Sequence, residues 1–254
     1  MNPCFRKNLW QTMSSLWWVI AMVILASILP AITTMTESTG VNASDSFTGV
    51  LFRQTFQVPE IHYDPRNYSL PIVWLIHHIL AIVPVTYSIW KIHLKYGSRS
   101  LLLTGSRKGY FHNMYTIVIV ISMIIGLLRL GIILMFYRLS NGSMTDSNDF
   151  WLIFQIFSIF IIEDSFFCLL TLVIALYFSY QPGIISTITL ILISSFFPVA
   201  FLPGQGSMAL RQVNMDINGH SLLVELVSLL LYFSLLIYFA ERIIYKYDFY
   251  TRNE

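Results

Sequence analysis

Six apolar runs, each close to the length of a membrane-crossing helix, constrain this chain more than any other feature. They cover roughly 16–32, 70–90, 115–137, 150–177, 184–202 and 222–239. A helix rising about 1.5 Å per residue needs about 20 apolar residues to cross the hydrocarbon. Lipid offers no partner to an exposed backbone N–H or C=O, so such runs are predicted to be helices. A membrane barrel would show short alternating segments, and these runs are continuous. The predicted fold is therefore all-α: a polytopic membrane protein with six transmembrane helices in a single domain, residues 1–254.

Composition excludes the soluble alternatives. Only 11% of residues are charged, against about 25% in soluble domains. A water-exposed fold of this size would lack polar surface. The net charge of +2 is too small to suggest a nucleic-acid partner. Two cysteines, Cys4 and Cys168, make no disulfide framework and no metal site. Arg6 and Lys7 ahead of the first run resemble the start of a signal peptide. About a dozen polar residues and the poor cleavage sequence Ala31-Ile32-Thr33 favour a retained span.

Charge sets the expected orientation. With the N-terminus inside, inner segments carry Arg6, Lys7, Lys91, Lys95, Arg99, Arg107, Lys108, Arg242, Lys246 and Arg252. Outer segments carry only Arg53, Arg66, Arg138 and Arg211. That bias predicts both termini on the cytoplasmic side of the cell membrane. Tyr180-Gln181-Pro182-Gly183 predicts a tight turn between the fourth and fifth runs. The outer stretch 203–220 holds Gly204, Gly206 and Gly219, which lets it dip back, and Pro198 and Pro203 break the end of the fifth run. The outer loop 33–69 is long and polar. Trp10, Trp17, Trp18, Trp74, Trp90 and Trp151 mostly fall near span ends, as interface anchors do.

Charged residues inside the runs are costly and normally face protein or water. Arg129 lies in the third run, Glu163 and Asp164 in the middle of the fourth. The depths differ by about 6–7 Å, so Arg129 is predicted to pair with Glu163 or Asp164. Two roles are open: a polar lining of a pathway, or a structural pair between helices, which is the simpler. Glu225 is expected to meet headgroup water. His77 and His78 are adjacent and about 100° apart around a helix, so they share no metal easily.

The inner stretch 91–112 is basic and patterned. Lys91 and Lys95 lead out of the second run, Gly97-Ser98 allows a break, and Arg99-Ser100-Leu101-Leu102-Leu103 gives a short amphipathic turn. Thr104-Gly105-Ser106 ends it, and Arg107-Lys108 open the third run. An apolar knob flanked by cations suits a groove on a soluble partner. The same cations also suit anionic lipid.

This pattern resembles the coupling helix of permease subunits of type-2 ABC exporters, small Gram-positive ones in particular. That family has six spans, both termini inside, and a coupling helix between spans two and three. The matching residues are Arg99, Ser100, Leu102, Leu103, Thr104, Ser106, Arg107, Lys108 and Tyr110. Gly105 stands near the family's proline, and Lys95 and Tyr96 stand where an acidic residue is usual. The resemblance implies ATPase-coupling residues Arg99, Leu101, Leu102, Leu103, Arg107 and Lys108. It implies a cytoplasmic ABC ATPase partner, a second permease copy or a related permease, and a surrounding bilayer. The substrate implied is an amphipathic peptide or lipid-like molecule, as in lantibiotic immunity and phenol-soluble-modulin export. ATP belongs to the partner: the spacing G-x-x-x-x-G-K-[ST] is absent and no cofactor is expected on this chain.

Two other classes stand beside this expectation. An intramembrane enzyme would need a set such as H-E-x-x-H or G-x-S-x-G, and neither occurs. No catalytic residue is therefore expected. A membrane receptor or scaffold would carry its activity on the loop 33–69.

Overall fold

The computed structural model describes residues 3–38, 47–56, 68–141, 147–212 and 219–246, and among them the chain is helical with no β-sheet. Helix α1 (Pro3–Ser15) precedes α2 (Trp17–Ser38). A short α3 (Phe47–Gly49) runs into a π-helical turn, Val50–Thr55. Then come α4 (Ile72–Thr104), α5 (Arg107–Asn141), α6 (Ser147–Tyr177), α7 (Tyr180–Phe196) and α8 (Leu222–Lys246). A 3-10 turn, Ala209–Arg211, lies between the last two.

Among the described residues five helices are long and apolar enough to cross a membrane: Trp17–Thr36, Ile72–Gly97, Arg107–Ser140, Phe150–Tyr177 and Leu222–Ile243. The fifth apolar run differs from the expected 184–202 span. Its helix α7 is 17 residues long and stops at Phe196. At about 1.5 Å per residue it reaches about 25 Å, short of the roughly 30 Å hydrocarbon core. Pro198 cannot continue the helix, so the apolar residues beyond it enter a loop. The six-span expectation becomes five long helices and one short one.

Helix α6 is the spine. Its apolar window is 78% buried within the protein, against 17% for α8. It packs on α4, α5, α7 and α8, and an apolar sequence on all sides is what a central helix requires. The close α5–α6 approach relies on Gly126, where a Cβ would strike the Ile161 side chain.

Two local expectations are corrected. Helix α4 continues through Gly97 and Ser98 to Thr104, so no break separates a short coupling helix from it. A Cβ on Gly97 would stand 3.3 Å from His93 Nδ1 and 3.6 Å from Tyr110 Oη. The glycine admits the His93–Tyr110 hydrogen bond of 2.7 Å that joins α4 to α5. The helix ends instead at Gly105, which adopts φ 70° and donates its N–H to Leu101 O at 3.0 Å. Ser106 then caps α5, its Oγ accepting from Gly109 N at 3.0 Å. The connection is a two-residue turn, Gly105-Ser106. On the α6–α7 side, the turn is Phe178-Ser179, and Tyr180-Gln181-Pro182-Gly183 form the first turn of α7. Proline is tolerated there because the first N–H groups of a helix have no intrahelical partner.

Within the 33–69 loop, residues 47–56 pack against the helices. Phe47, Leu51, Phe52 and Phe56 are buried, and Phe56 meets the His77 and Phe157 rings at 5.2 and 6.3 Å. Among the tryptophans, Trp10, Trp17, Trp18 and Trp151 are exposed, whereas Trp74 and Trp90 are buried in the core rather than anchoring an interface.

A buried polar centre as the candidate functional site

Adjacent residues on a helix point about 100° apart, so Glu163 and Asp164 on α6 serve two separate sets of partners. Asp164 faces α4 and α5. Arg129 Nη1 on α5 donates to Asp164 Oδ2 at 3.1 Å, and His78 Nδ1 on α4 lies 2.7 Å from Oδ1. Arg129 Nη2 also donates to His77 O at 2.9 Å. The guanidinium sits 4.7 Å from the Phe160 ring centroid. His78 also stacks on Phe160, with ring centroids 4.1 Å apart. Arg129 and Asp164 are fully buried, so their charges are neutralised by each other and by hydrogen bonds. The sequence places Arg129 against Glu163 or Asp164, and the structure selects Asp164.

Glu163 faces the other way. Its Oε1 accepts the backbone N–H groups of Gly204 and Gly206, at 3.0 and 2.9 Å. Both glycines belong to the stretch after α7, and residues 203–212 are all buried. This loop folds back from the end of α7 to the middle of α6. Gly204 takes φ 102°, a left-handed conformation that favours glycine. Gly206 leaves no room for a side chain: a Cβ there would strike Ile159 and stand 3.2 Å from Glu163 Oε1 and 3.3 Å from Glu225 Oε2. Trp74 Nε1 on α4 donates to Ser207 Oγ at 3.0 Å, which ties the loop to a third helix.

Arg211 locks the loop to the end of α7. Its guanidinium donates to Ser194 O at 2.9 Å, Ser195 O at 2.6 Å and Gln205 Oε1 at 2.9 Å. The last carbonyls of a helix lack intrahelical partners and carry partial negative charge, so a buried cation is well placed there. Gln212 Nε2 donates to Glu225 Oε2 at 2.6 Å. Glu225 is buried rather than facing headgroup water, because the loop covers it. His220, beside this loop, is held below the ordinary imidazole range by its desolvation and by the nearby Arg211 charge.

The other sequence-predicted residues lie at the opposite end. Leu101 packs against the core, and Leu102 is 75% exposed at the α4–α5 tip. Lys108 Nζ pairs with Glu241 Oε1 on α8 at 3.1 Å, with His112 Nε2 3.5 Å from the same oxygen. Arg107 opens α5. Arg99 and Leu103 lie in the last turns of α4, and their side chains are outside the described ones. The tip and the buried centre are therefore separate, joined along α4 and α5 and, through the Lys108–Glu241 pair, along α8.

The sequence reading missed Arg211, Gln212 and Gly206 as site residues. The one available signal was glycine density next to a cation in an apolar context. No group of three or more His, Cys, Asp or Glu among the described residues is placed to hold a metal ion.

Together the apolar helices and a charged centre shielded inside them define a helical multi-pass membrane protein. No protein-family model matches the chain, and neither curated proteins nor solved structures include a significant match.

Proposed function

We propose that the chain is the membrane-spanning permease subunit of an ATP-driven exporter, powered by a separate ABC-type ATPase. The α4–α5 tip carries this reading. Leu102 is 75% exposed and lies beyond the apolar stretch of α4, which ends at Gly97. A bare leucine past the lipid-facing part of a helix, with Arg107 and Lys108 close by, suits a groove on a soluble partner.

The tip is also mechanically suited to relay motion. Gly105 and Ser106 join α4 to α5 without slack, so a push on the tip displaces both helices. Those helices carry His78 and Arg129, which grip Asp164 on α6. In this reading Arg129 and Asp164 hold the moving helices together, and Glu163 holds the loop that closes the far side of the bundle. Nucleotide on the partner biases two arrangements of one packed unit. The expected setting is the cell membrane, both termini cytoplasmic, with a second permease copy or a related permease. The substrate class is an amphipathic peptide or lipid-like molecule.

The test is purification of the full chain from its native membranes with whatever ATPase accompanies it. Leu102→Asp is expected to lose the ATPase and export while leaving the chain folded. Unchanged co-purification with Leu102→Asp, or no ATPase with the unaltered chain, contradicts the proposal.

A further inference from the structure

A groove of about 370 Å³ opens where the α1–α2 junction faces α4. Its α4 wall presents Pro84, Tyr87, Ser88, Lys91 and Lys95. Steps of three or four residues place these on one side of the helix. Ile92 and Tyr96 complete that wall, and its two cations fall toward the C-terminal end of α4. Pro84 is apolar, Tyr87 and Ser88 bring hydroxyls, and Lys91 and Lys95 bring ammonium groups. From Pro84 to Lys95 the rise is about 16 Å. Trp18 faces them from α2, half exposed, with an apolar ring suited to a membrane interface.

A phospholipid lying along the helix presents the same order: acyl chain, glycerol ester, phosphate. The two lysines are exposed one turn apart, and no carboxylate among the described residues pairs with either. Two neighbouring cations without counter-ions, at the polar end of an apolar groove, call for an anion. A headgroup with a negative phosphate meets that need.

We propose that this groove binds one anionic phospholipid. The phosphate lies between Lys91 and Lys95, and an acyl chain runs against Trp18 and Pro84. The site does not depend on the transport reading. It pins α1 to α4, and so couples the first helix of the chain to the helix that ends at the Leu102 tip.

The test is native mass spectrometry of the full chain titrated with phosphatidylglycerol, phosphatidylcholine or inorganic phosphate in neutral detergent. Each lysine near an anionic group contributes about 1 kcal/mol, so Lys91→Ala with Lys95→Ala is expected to weaken phosphatidylglycerol about 30-fold. Lys91→Arg with Lys95→Arg is expected to retain it. Arg6→Ala with Lys7→Ala removes equal charge from α1 outside this groove and is expected to change affinity less than about twofold, because those cations do not line it. Phosphatidylcholine and inorganic phosphate are expected to bind far more weakly. Three results overturn the proposal: undiminished binding in the double alanine chain, equal loss in the Arg6/Lys7 chain, or equal affinity for phosphatidylcholine. Phosphate competing as strongly as the lipid overturns it too, by assigning the site to a free anion.

Discussion

Replacing Arg129 with alanine removes the one cation that faces Asp164 within 4 Å among the described residues, apart from His78. The loss includes hydrogen bonds of 3.1 Å to Asp164 and 2.9 Å to His77 O, and a ring contact of 4.7 Å with Phe160. Summing those contacts would overstate the effect, because burying the guanidinium already costs desolvation. The larger consequence falls on Asp164, which is left buried without its guanidinium partner. Removing one partner of a buried pair typically costs about 3–5 kcal/mol. Arg129→Ala is therefore expected to destabilise by about that amount, read as reversible unfolding of the detergent-solubilised chain. Adding Asp164→Asn removes the stranded carboxyl group while His78 keeps an oxygen to bond. The double variant is then expected to recover about half of the loss or more, which a double-mutant cycle measures directly. Equal destabilisation in the single and double variants would refute the reasoning, since it would mean that Asp164 never depended on Arg129.

Two further predictions concern the returning loop. Gly206→Ala forces a methyl into Ile159 and against the Glu163 and Glu225 oxygens, so it is expected to cost about 1–3 kcal/mol and to release the loop; limited proteolysis between α7 and α8 reports this, and unchanged protection contradicts it. Arg211→Lys keeps the charge but not the fork that reaches Ser194 O, Ser195 O and Gln205 at once. It is expected to cost about 1.5–3 kcal/mol, seen as faster amide hydrogen exchange at the C-terminal end of α7.

The helices were legible because hydropathy over about 20 residues sums many small transfer terms that all point the same way. The Arg129–Asp164 pair was legible because an isolated intramembrane charge needs an opposite one, and few candidates exist. His78 was harder to see as a third partner. Its role depends on the rotation of α4, which sequence adjacency to His77 does not reveal. The end of α7 was misjudged because Phe196, Phe197 and Leu202 extend the apolar run while Pro198 and Pro203 interrupt the helix. The loop that follows is held by backbone N–H groups and carbonyls meeting Glu163, Arg211 and Gln205, contacts that leave little trace in side-chain composition. The Gly97-Ser98 break failed for the opposite reason. Glycine costs a helix about 1 kcal/mol, but at residue 97 it permits the His93–Tyr110 bond between α4 and α5.

The sidedness of the α4–α5 tip tests the account most directly. Leu102→Cys gives a thiol on an exposed position once Cys4→Ser is also made, and Cys168 is buried and stays silent. In intact cells a membrane-impermeant maleimide is expected to leave residue 102 unlabelled, and permeabilisation is expected to expose it. Full labelling in intact cells would place the tip outside, away from any ATP, and would contradict its role as the contact with a cytoplasmic motor.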